Sequence, residues 1–386
     1  MEQRGFSSII EFIRASFHNE NGFIALHEPK FFGNEKKYLL DTIDSTYVSS
    51  VGPYVTRFEE MMKTLTGAKH AIAVVNGTCA LHMALLIAGV EPGDEVITQP
   101  LTFVATVNAI VHANAQPHFT DVDKDSLGMS PQKLKEHLSA IAIIKEGRCF
   151  NKITGKRIAA CVPMHTFGMP LRIDEVVEVC NEYHIPVVED STESIGSYYK
   201  GKHTGVYGLV GTFSFNGNKT VTSGAGGAII TNDEALGKKA KHLTTTAKVA
   251  HPYEFVHDAV GYNYRMPNLN AALACAQLEQ LDIYIASKRE LVGMYAEFFR
   301  SIGIAVIKEI DQAKANYWLC GILLEDRAQR DAFLQYSNEH QVMSRPAWTL
   351  MTKLEMYKNS FKADTSNAQW LEDRVVNIPS SVRIKK

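Results

Sequence analysis

Short apolar runs alternate with stretches of helical periodicity between about residues 36 and 235. Seven apolar runs are expected to be strands, namely 71–75, 95–98, 116–120, 158–163, 186–189, 211–215 and 227–231. Five intervening stretches carry apolar side chains at helical spacing, namely 58–65, 79–88, 105–113, 131–140 and 173–183. This alternation predicts an α/β fold built on a large, mainly parallel, seven-stranded sheet.

Two segments beside these strands have patterns of their own. Near the N-terminus, one face of an amphipathic helix is marked by Phe6, Ile9, Ile10, Ile13 and Phe17. We expect this helix to dock on the protein body or on a neighbouring subunit, and attachment to a membrane surface is the alternative. Residues 141–155 interrupt the alternation, and we expect them to form an excursion with a small hairpin.

The C-terminal part begins with a strongly helical stretch at 268–295. A second alternating unit follows from about residue 300, with a strand at 317–323 and a helix at 327–340. These patterns predict two domains after the first helix, because a chain of 386 residues exceeds what one core usually supports. The predicted segments are an N-terminal helix at 1–25, a large domain at 26–260 and a smaller α+β domain at 261–386.

Composition narrows the class of protein. The 40 basic and 42 acidic residues leave a net charge of −2, so the chain carries no basic excess that would attract nucleic acid. The six cysteines are widely spaced and form no Cys-x-x-Cys pair, which fits a reducing cytoplasm. We find no apolar run of the roughly 20 residues that a membrane span needs. The histidines and cysteines show no zinc spacing, so we expect no metal site.

Three candidate groups follow predicted strands. Asn76-Gly77-Thr78 turns from a strand into a helix, whose free N–H groups would bind a phosphate with help from the hydroxyls of Thr78 and Ser214. Asp190 ends an apolar run, and Lys219 stands between a strand and a glycine-rich turn. Since ligands gather at the carboxyl ends of strands, one pocket would hold all three groups. A phosphate site, an acid and a nucleophilic amine are what pyridoxal phosphate requires.

Each of these residues also has an ordinary structural interpretation. A lone lysine after a strand is usually a surface residue, and Asp190 would make an adequate helix cap. Phe103 would serve equally well as core, and His165, after an apolar strand, is more typical of a hydrogen-bonded structural histidine. The catalytic interpretation of Lys219 depends on the order of Thr78, Asp190 and Ser214 before it in the chain.

Several motifs that follow one another along the chain give more specific information about its function. They are Gly52-Pro-Tyr-Val-Thr-Arg-Phe-Glu59, Asn76-Gly-Thr-Cys-Ala-Leu81, Pro92-Gly-Asp-Glu-Val96, Thr102-Phe-Val-Ala-Thr106, Glu189-Asp-Ser-Thr-Glu-Ser194, Ser214-Phe-Asn-Gly-Asn-Lys219 and Gly261-Tyr-Asn-Tyr-Arg-Met266. With these motifs the chain resembles the DegT/StrS-type nucleotide-sugar aminotransferases from about residue 26 to residue 383. Within that family it most resembles the transaminases of bacillosamine and legionaminic acid synthesis. The features that carry this resemblance are the excursion near Asn151 and the motifs Pro163-Met-His-Thr-Phe-Gly168, Leu243-Thr-Thr-Thr-Ala-Lys248 and Asn377-Ile-Pro-Ser-Ser-Val-Arg383.

The resemblance implies a fold and a set of roles. The fold would be the type I fold of pyridoxal phosphate enzymes, like that of aspartate aminotransferase. Lys219 would form the Schiff base, and Asp190 would pair with the ring nitrogen. Phe103 would stack on the cofactor ring, and Glu193 would lie near the 3-hydroxyl group of that ring. Three residues would hold the phosphate, namely Gly77, Thr78 and Ser214. A homodimer with shared sites is implied as well, because Asn263, with help from Arg265, would reach the phosphate of the partner subunit.

The implied reaction moves the amino group of L-glutamate to the keto carbon of a UDP-linked 4-keto-6-deoxy-N-acetylhexosamine. A GDP- or dTDP-linked keto-sugar is an alternative acceptor. A lyase or aldolase, or a regulator that only retains the cofactor fold, are alternatives of other classes. Arg345-Pro-Ala-Trp348 replaces the His-and-Pro pattern common in the sugar-facing part of the family, so sugar contacts there cannot be carried over.

Overall fold

The computed structural model describes residues 3–383; residues 1, 2 and 384–386, at the ends of the first and last predicted segments, lie outside the described residues. The helices are α1 Gln3–Ser16, α2 Glu35–Asp44, α3 Pro53–Thr66, α4 Gly77–Ile87, α5 Val104–His112, α6 Pro131–Ile141, α7 Ile173–Glu182, α8 Glu234–Thr244, α9 Asn268–Leu278, α10 Leu281–Ser301, α11 Arg327–Glu339 and α12 Ser366–Glu372. The strands are β1 His70–Val74, β2 Glu95–Thr98, β3 Gln116–Phe119, β4 Ala142–Lys145, β5 Arg148–Asn151, β6 Ile158–Val162, β7 Val188–Asp190, β8 Tyr198–Tyr199, β9 Lys202–His203, β10 Val210–Ser214, β11 Gly227–Thr231, β12 Ala305–Val306, β13 Ala313–Lys314, β14 Cys320–Leu323, β15 Arg345–Pro346, β16 Phe361–Lys362 and β17 Val375–Ile378.

The central sheet consists of two four-stranded halves, with the orders β1-β11-β10-β7 and β6-β2-β3-β16. Parallel bridges from Cys161 to Val187 and from Met164 to Asp190 join the halves between β6 and β7. Only β11 runs antiparallel to its neighbours. All seven predicted strands belong to this sheet, so the predicted α/β fold with a mainly parallel sheet is confirmed. The additional edge strand, β16, comes from the far end of the chain.

Two local predictions differ from the structure. The stretch 268–295 is two helices, α9 and α10, because the chain leaves helical geometry at Gln280, where φ is −104° and ψ is 0°. The start of α10 stays in the apolar cluster of α9 and α3 through Leu281, Tyr284 and Ile285, and α10 joins a second cluster from Leu291 onward. The strand predicted at 317–323 begins only at Cys320, since Tyr317 has a positive φ of 50°. The predicted hairpin in 141–155 is confirmed as β4 and β5.

Helix α1 packs on the C-terminal part of the same chain. Ile9 and Ile13 are fully buried in the cluster formed by α10, α11 and the C-terminal strands. Phe6 meets Phe333 of α11 edge-on at 5.3 Å between ring centroids. The apolar face that the sequence marks is therefore covered by the protein body.

The C-terminal strands form a separate sheet with the order β12-β14-β17-β15. The division into segments 26–260 and 261–386 stays a prediction, and α9, from the second segment, packs against α2 and α3 of the first. Within residues 3–383, no helix has both the length and the apolar character needed to cross a membrane.

Candidate active site

A cavity of about 340 Å³ lies at the carboxyl ends of β1, β7 and β10. All of the predicted site residues except Asn263 line it, namely Gly77, Thr78, Phe103, Asp190, Glu193, Ser214 and Lys219. Side chains that the sequence analysis did not select also line it, among them Thr106, Thr192, Asn218, Trp318 and Trp348. Residues that follow separate strands thus line one cavity, as the sequence pattern predicts.

The N-terminus of α4 forms one wall. Asn76 caps the helix, and its side-chain Oδ1 accepts a hydrogen bond from the backbone N–H of Cys79 at 2.8 Å. The amides of Gly77 and Thr78 belong to the first turn, which offers them no intrahelical acceptor. A Cβ on Gly77 would lie 2.7 Å from Ser214 Cβ, so only glycine permits this approach. Amides, two hydroxyls and the positive end of the helix dipole form a cradle for an anion.

Asp190 lies at the end of β7 and is 1% exposed. Its Oδ2 accepts a hydrogen bond from Thr106 Oγ1 at 2.7 Å. Its Oδ1 accepts hydrogen bonds from Thr192 Oγ1 at 2.7 Å and from the Thr192 backbone N–H at 3.2 Å. These donors fix the orientation of a carboxylate that lines the cavity and suits a cationic partner.

Lys219 is 8% exposed and follows β10. Its Nζ lies 3.2 Å from Glu193 Oε1 and 4.1 Å from the centroid of the Trp318 ring. Burial raises the pKa of Glu193 to about 7, although the charge of Lys219 acts in the opposite direction. The other oxygen of Glu193 accepts a hydrogen bond from the Phe167 backbone N–H at 2.8 Å. The amine is thus enclosed between an aromatic face and a buried carboxyl group.

Aromatic rings form the remaining walls. Phe103, just before α5, is 46% exposed and lies 6.0 Å from Trp348 between ring centroids. Trp348 also contacts Phe167, at 4.8 Å between centroids. The sequence contains only three tryptophans, and two of them, Trp318 and Trp348, line this cavity. The rarity of tryptophan is the sequence signal that could have pointed to them.

Asn263 is the predicted residue that does not line the cavity of its own chain. It is exposed, and its Oδ1 accepts a hydrogen bond from Arg265 Nε at 3.0 Å. Its role from a partner subunit stays a prediction. His165 is buried, and its Nε2 lies 3.1 Å from Glu189 Oε2, as expected of a structural histidine.

Pyridoxal phosphate fits the groups that this cavity presents. The cradle at Gly77, Thr78 and Ser214 matches its phosphate, the Asp190 carboxylate matches a protonated ring nitrogen, and the Lys219 amine matches its aldehyde. Among residues 3–383 we find no group of three or more His, Cys, Asp or Glu side chains arranged to hold a metal ion.

Comparisons with known proteins agree with this chemistry. The sequence model of the DegT/DnrJ/EryC1/StrS aminotransferase family matches residues 31–386. GDP-perosamine synthase of Escherichia coli O157:H7 is 36% identical over 358 residues, which cover 93% of this chain and 93% of that protein. The Vibrio cholerae GDP-perosamine synthase is 36% identical over 364 residues, covering 92% and 94%. Helicobacter pylori PseC, an aminotransferase involved in the biosynthesis of pseudoaminic acid, shares the fold with a TM-score of 0.83 at 23% identity, covering 92% and 93%.

Proposed function

Because this chain belongs to the DegT/DnrJ/EryC1/StrS aminotransferase family, we propose that it transfers the amino group of L-glutamate to the 4-keto carbon of a nucleotide-linked 4-keto-6-deoxyhexose. It is a sugar aminotransferase that uses pyridoxal phosphate. The observation that carries the proposal is the single cavity in which Lys219, Asp190 and the N-terminus of α4 meet.

Each residue has a distinct task. When bound, pyridoxal phosphate supplies an electron sink and a temporary carrier for the amino group. Asp190, held by Thr106 and Thr192, would keep the ring nitrogen protonated. Lys219 Nζ would hold the cofactor covalently at rest and move the proton at the α-carbon of the donor during transfer. Trp318 and Glu193 enclose this amine and limit its contact with water.

We propose a UDP-linked N-acetylated sugar as the acceptor, with a 4-amino-4,6-dideoxy-N-acetylhexosamine as the product. The support comes from the motifs shared with bacillosamine and legionaminic acid transaminases, such as Pro163-Met-His-Thr-Phe-Gly168. A GDP-linked keto-sugar is the second candidate, because two relatives that are 36% identical are named GDP-perosamine synthases.

The donor half-reaction is tested first. The protein loaded with pyridoxal phosphate should lose its yellow absorbance when L-glutamate is added, as the cofactor becomes pyridoxamine phosphate. Lys219→Ala should abolish turnover and leave any cofactor bound non-covalently. Lys238→Ala, on a side chain that is 75% exposed, is the matched control and should behave as wild type. A spectrum indifferent to glutamate would contradict the proposed donor.

The acceptor is tested by supplying UDP-, GDP- and dTDP-linked 4-keto-6-deoxy sugars to the aminated enzyme. Return of the yellow form with the UDP-linked N-acetylated sugar, and formation of its 4-amino product, supports the proposal. Preference for the GDP-linked sugar would replace it with the second candidate. Repeated turnover of an amino acid without any keto-sugar, beyond one equivalent per cofactor, would indicate a lyase or aldolase, and cofactor binding without a half-reaction would indicate a regulator.

We also propose a homodimer in which Asn263 serves the site of the partner subunit. The support is that Asn263 is exposed and lies outside its own cavity, close in sequence to Val260, which is 86% exposed. Lys219→Ala and Asn263→Ala proteins, each inactive alone, should regain activity when unfolded and refolded together. One site of the mixed dimer would then have both residues intact. No recovery would contradict a shared site.

A reducing cytoplasm is the compartment that we propose. All six cysteines are free in the structure, and five of them are buried.

A further inference from the structure

The indole ring of Trp318 covers the reactive amine. Its centroid lies 4.1 Å from Lys219 Nζ, and Trp318 itself is buried. Glu193 Oε1 lies 3.2 Å from the same nitrogen. The face of an aromatic ring attracts a cation, and among aromatic side chains tryptophan does so most strongly. An ammonium group on Lys219 is therefore attracted by the ring as well as by the carboxyl group.

The polar edge of the same ring holds the loop that carries Lys219. Trp318 Nε1 donates a hydrogen bond to the backbone carbonyl of Asn218 at 2.6 Å. Asn218 directly precedes Lys219, so this bond fixes the backbone from which the amine extends. One side chain thus contacts the amine of the reactive residue and the main chain beside it.

A neighbour of Trp318 holds the carboxyl group that lies beside the amine. Asn316 is fully buried, and its Nδ2 donates to the backbone carbonyls of Glu193 and Ile195, each at 2.9 Å. Its Oδ1 accepts the backbone N–H of Trp318 at 2.8 Å. Tyr317, between the two, has a positive φ of 50°, and strained backbone of this kind is concentrated at functional sites. One short segment therefore holds both the amine and its carboxyl neighbour.

A buried amine anchors this segment from behind. Lys288, on α10, is fully buried, and its Nζ donates to the carbonyls of Ser380 at 2.6 Å and Trp318 at 3.2 Å. Burial lowers the pKa of Lys288 to about 7. With or without its extra proton, the amine has enough N–H groups for both carbonyls. The main chain of Trp318 is thereby held independently of its indole ring.

The chemistry of the site gives the ring face a task. When the Lys219 amine acts as a base, the C–H bond at the α-carbon of the donor breaks, an N–H bond forms, and the electron pair stays with the bound donor. The amine then carries a positive charge at a buried position. Glu193 balances that charge only when it is ionised, and burial raises its pKa to about 7. The ring attracts the cation whatever the protonation state of Glu193.

We propose that Trp318 is a catalytic residue that stabilises Lys219 while it carries the proton and orients its amine through the hydrogen bond to Asn218. Asn316 and Lys288 support this arrangement by holding the backbone of Trp318. The proposal rests on the proposed aminotransfer, and it adds a residue that acts on the reactive amine itself.

The test compares Trp318→Phe, which keeps an aromatic face but loses the N–H donor, with Trp318→Leu, which loses both. In the holoenzyme at saturating L-glutamate, stopped-flow absorbance should show a half-reaction slowed at least about threefold in Trp318→Phe and at least about tenfold in Trp318→Leu. Glutamate deuterated at the α-carbon should give both variants an isotope effect at least as large as that of wild type, because the slowed step is proton transfer. Trp370→Phe is the matched control, since Trp370 also covers a lysine, at 4.7 Å from Lys124 Nζ, and does not line the active-site cavity.

Hydrogen exchange in the cofactor-free protein provides a readout that does not depend on activity. In both Trp318 variants the backbone amides of residues 216–222 should exchange faster than in wild type, because the hydrogen bond to the Asn218 carbonyl is lost. Trp370→Phe should leave this exchange unchanged. The Kd for pyridoxamine phosphate, which forms no bond to Lys219, should stay close to that of wild type in all three variants.

The outcomes separate this proposal from the proposed function. Wild-type rates in both Trp318 variants, or unchanged exchange of residues 216–222, would overturn the proposal. A loss of affinity for pyridoxamine phosphate as large as the loss of rate would overturn it too, because Trp318 would then act on the cofactor and not on the amine. If Trp318→Leu does not fold, Trp318→Phe decides alone. Failure of wild type to react with glutamate would instead contradict the proposed function, and the exchange result would still decide whether Trp318 holds the loop.

Discussion

Lys219 Nζ lies 3.2 Å from Glu193 Oε1, so the amine expected to hold the cofactor contacts a buried carboxyl group. Burial raises the pKa of that carboxyl group from 4.5 to about 7. The folded protein therefore retains a proton that the unfolded chain releases between these two pH values. Its stability should fall as the pH rises through this window, because ionised Glu193 is desolvated.

Glu193→Gln should remove this pH dependence. In the cofactor-free protein, the free energy of unfolding of the variant relative to wild type should increase by about 3 kcal/mol between pH 4.5 and pH 7.5. Urea unfolding at a series of pH values measures the difference. A difference that stays constant with pH would show that Glu193 titrates normally.

Gly77→Ala should weaken cofactor binding at least about tenfold. The new Cβ would lie 2.7 Å from Ser214 Cβ and 3.1 Å from Ser214 Oγ, so Ser214 has to move away from the phosphate cradle. Equilibrium titration with pyridoxal phosphate measures the change in Kd. Gly217→Ala, in the loop before Lys219, is the matched control, because its Cβ would meet nothing within 4 Å. Equal affinities in the two variants would speak against the cradle.

Asp190→Asn should slow the half-reaction with glutamate on the order of 100-fold, because a neutral amide cannot hold the ring nitrogen protonated. The fold should persist, since Asn still accepts the hydrogen bond from Thr106, and only the hydrogen bonds from Thr192 to the other oxygen are lost. Stopped-flow absorbance measures the rate, and thermal unfolding checks the fold. Thr106→Val, which removes one donor to Asp190, should slow the reaction far less. A wild-type rate in Asp190→Asn would exclude its assigned role.

Ile9→Ala should destabilise the protein by about 2–5 kcal/mol, because Ile9 is fully buried between α1 and the C-terminal part. Denaturant unfolding measures this change. Phe23→Ala, on a side chain that is 61% exposed, should change stability by no more than about 0.5 kcal/mol. Equal stability of both variants would mean that α1 is detached in solution.

Local patterns were sufficient for much of this molecule. The seven strand runs were recognisable because buried strands are short and mainly apolar, and the polar residues that follow the parallel strands share one edge. Helix breaks were less predictable. The break between α9 and α10 falls at Gln280 inside a stretch whose apolar spacing is helical throughout, so no pattern within 268–295 records it.

The sequence by itself determined the type of fold, the family and the order of Asp190, Ser214 and Lys219 along the sheet. Only the tertiary structure decided which distant residues complete the site. Trp318 and Trp348 come from the C-terminal part of the chain, and long-range packing brings them into the same cavity as Lys219. The physical reason is that helix and strand periodicity depends on near neighbours in sequence. Burial and missing hydrogen-bond partners, in contrast, depend on every segment that folds around a side chain.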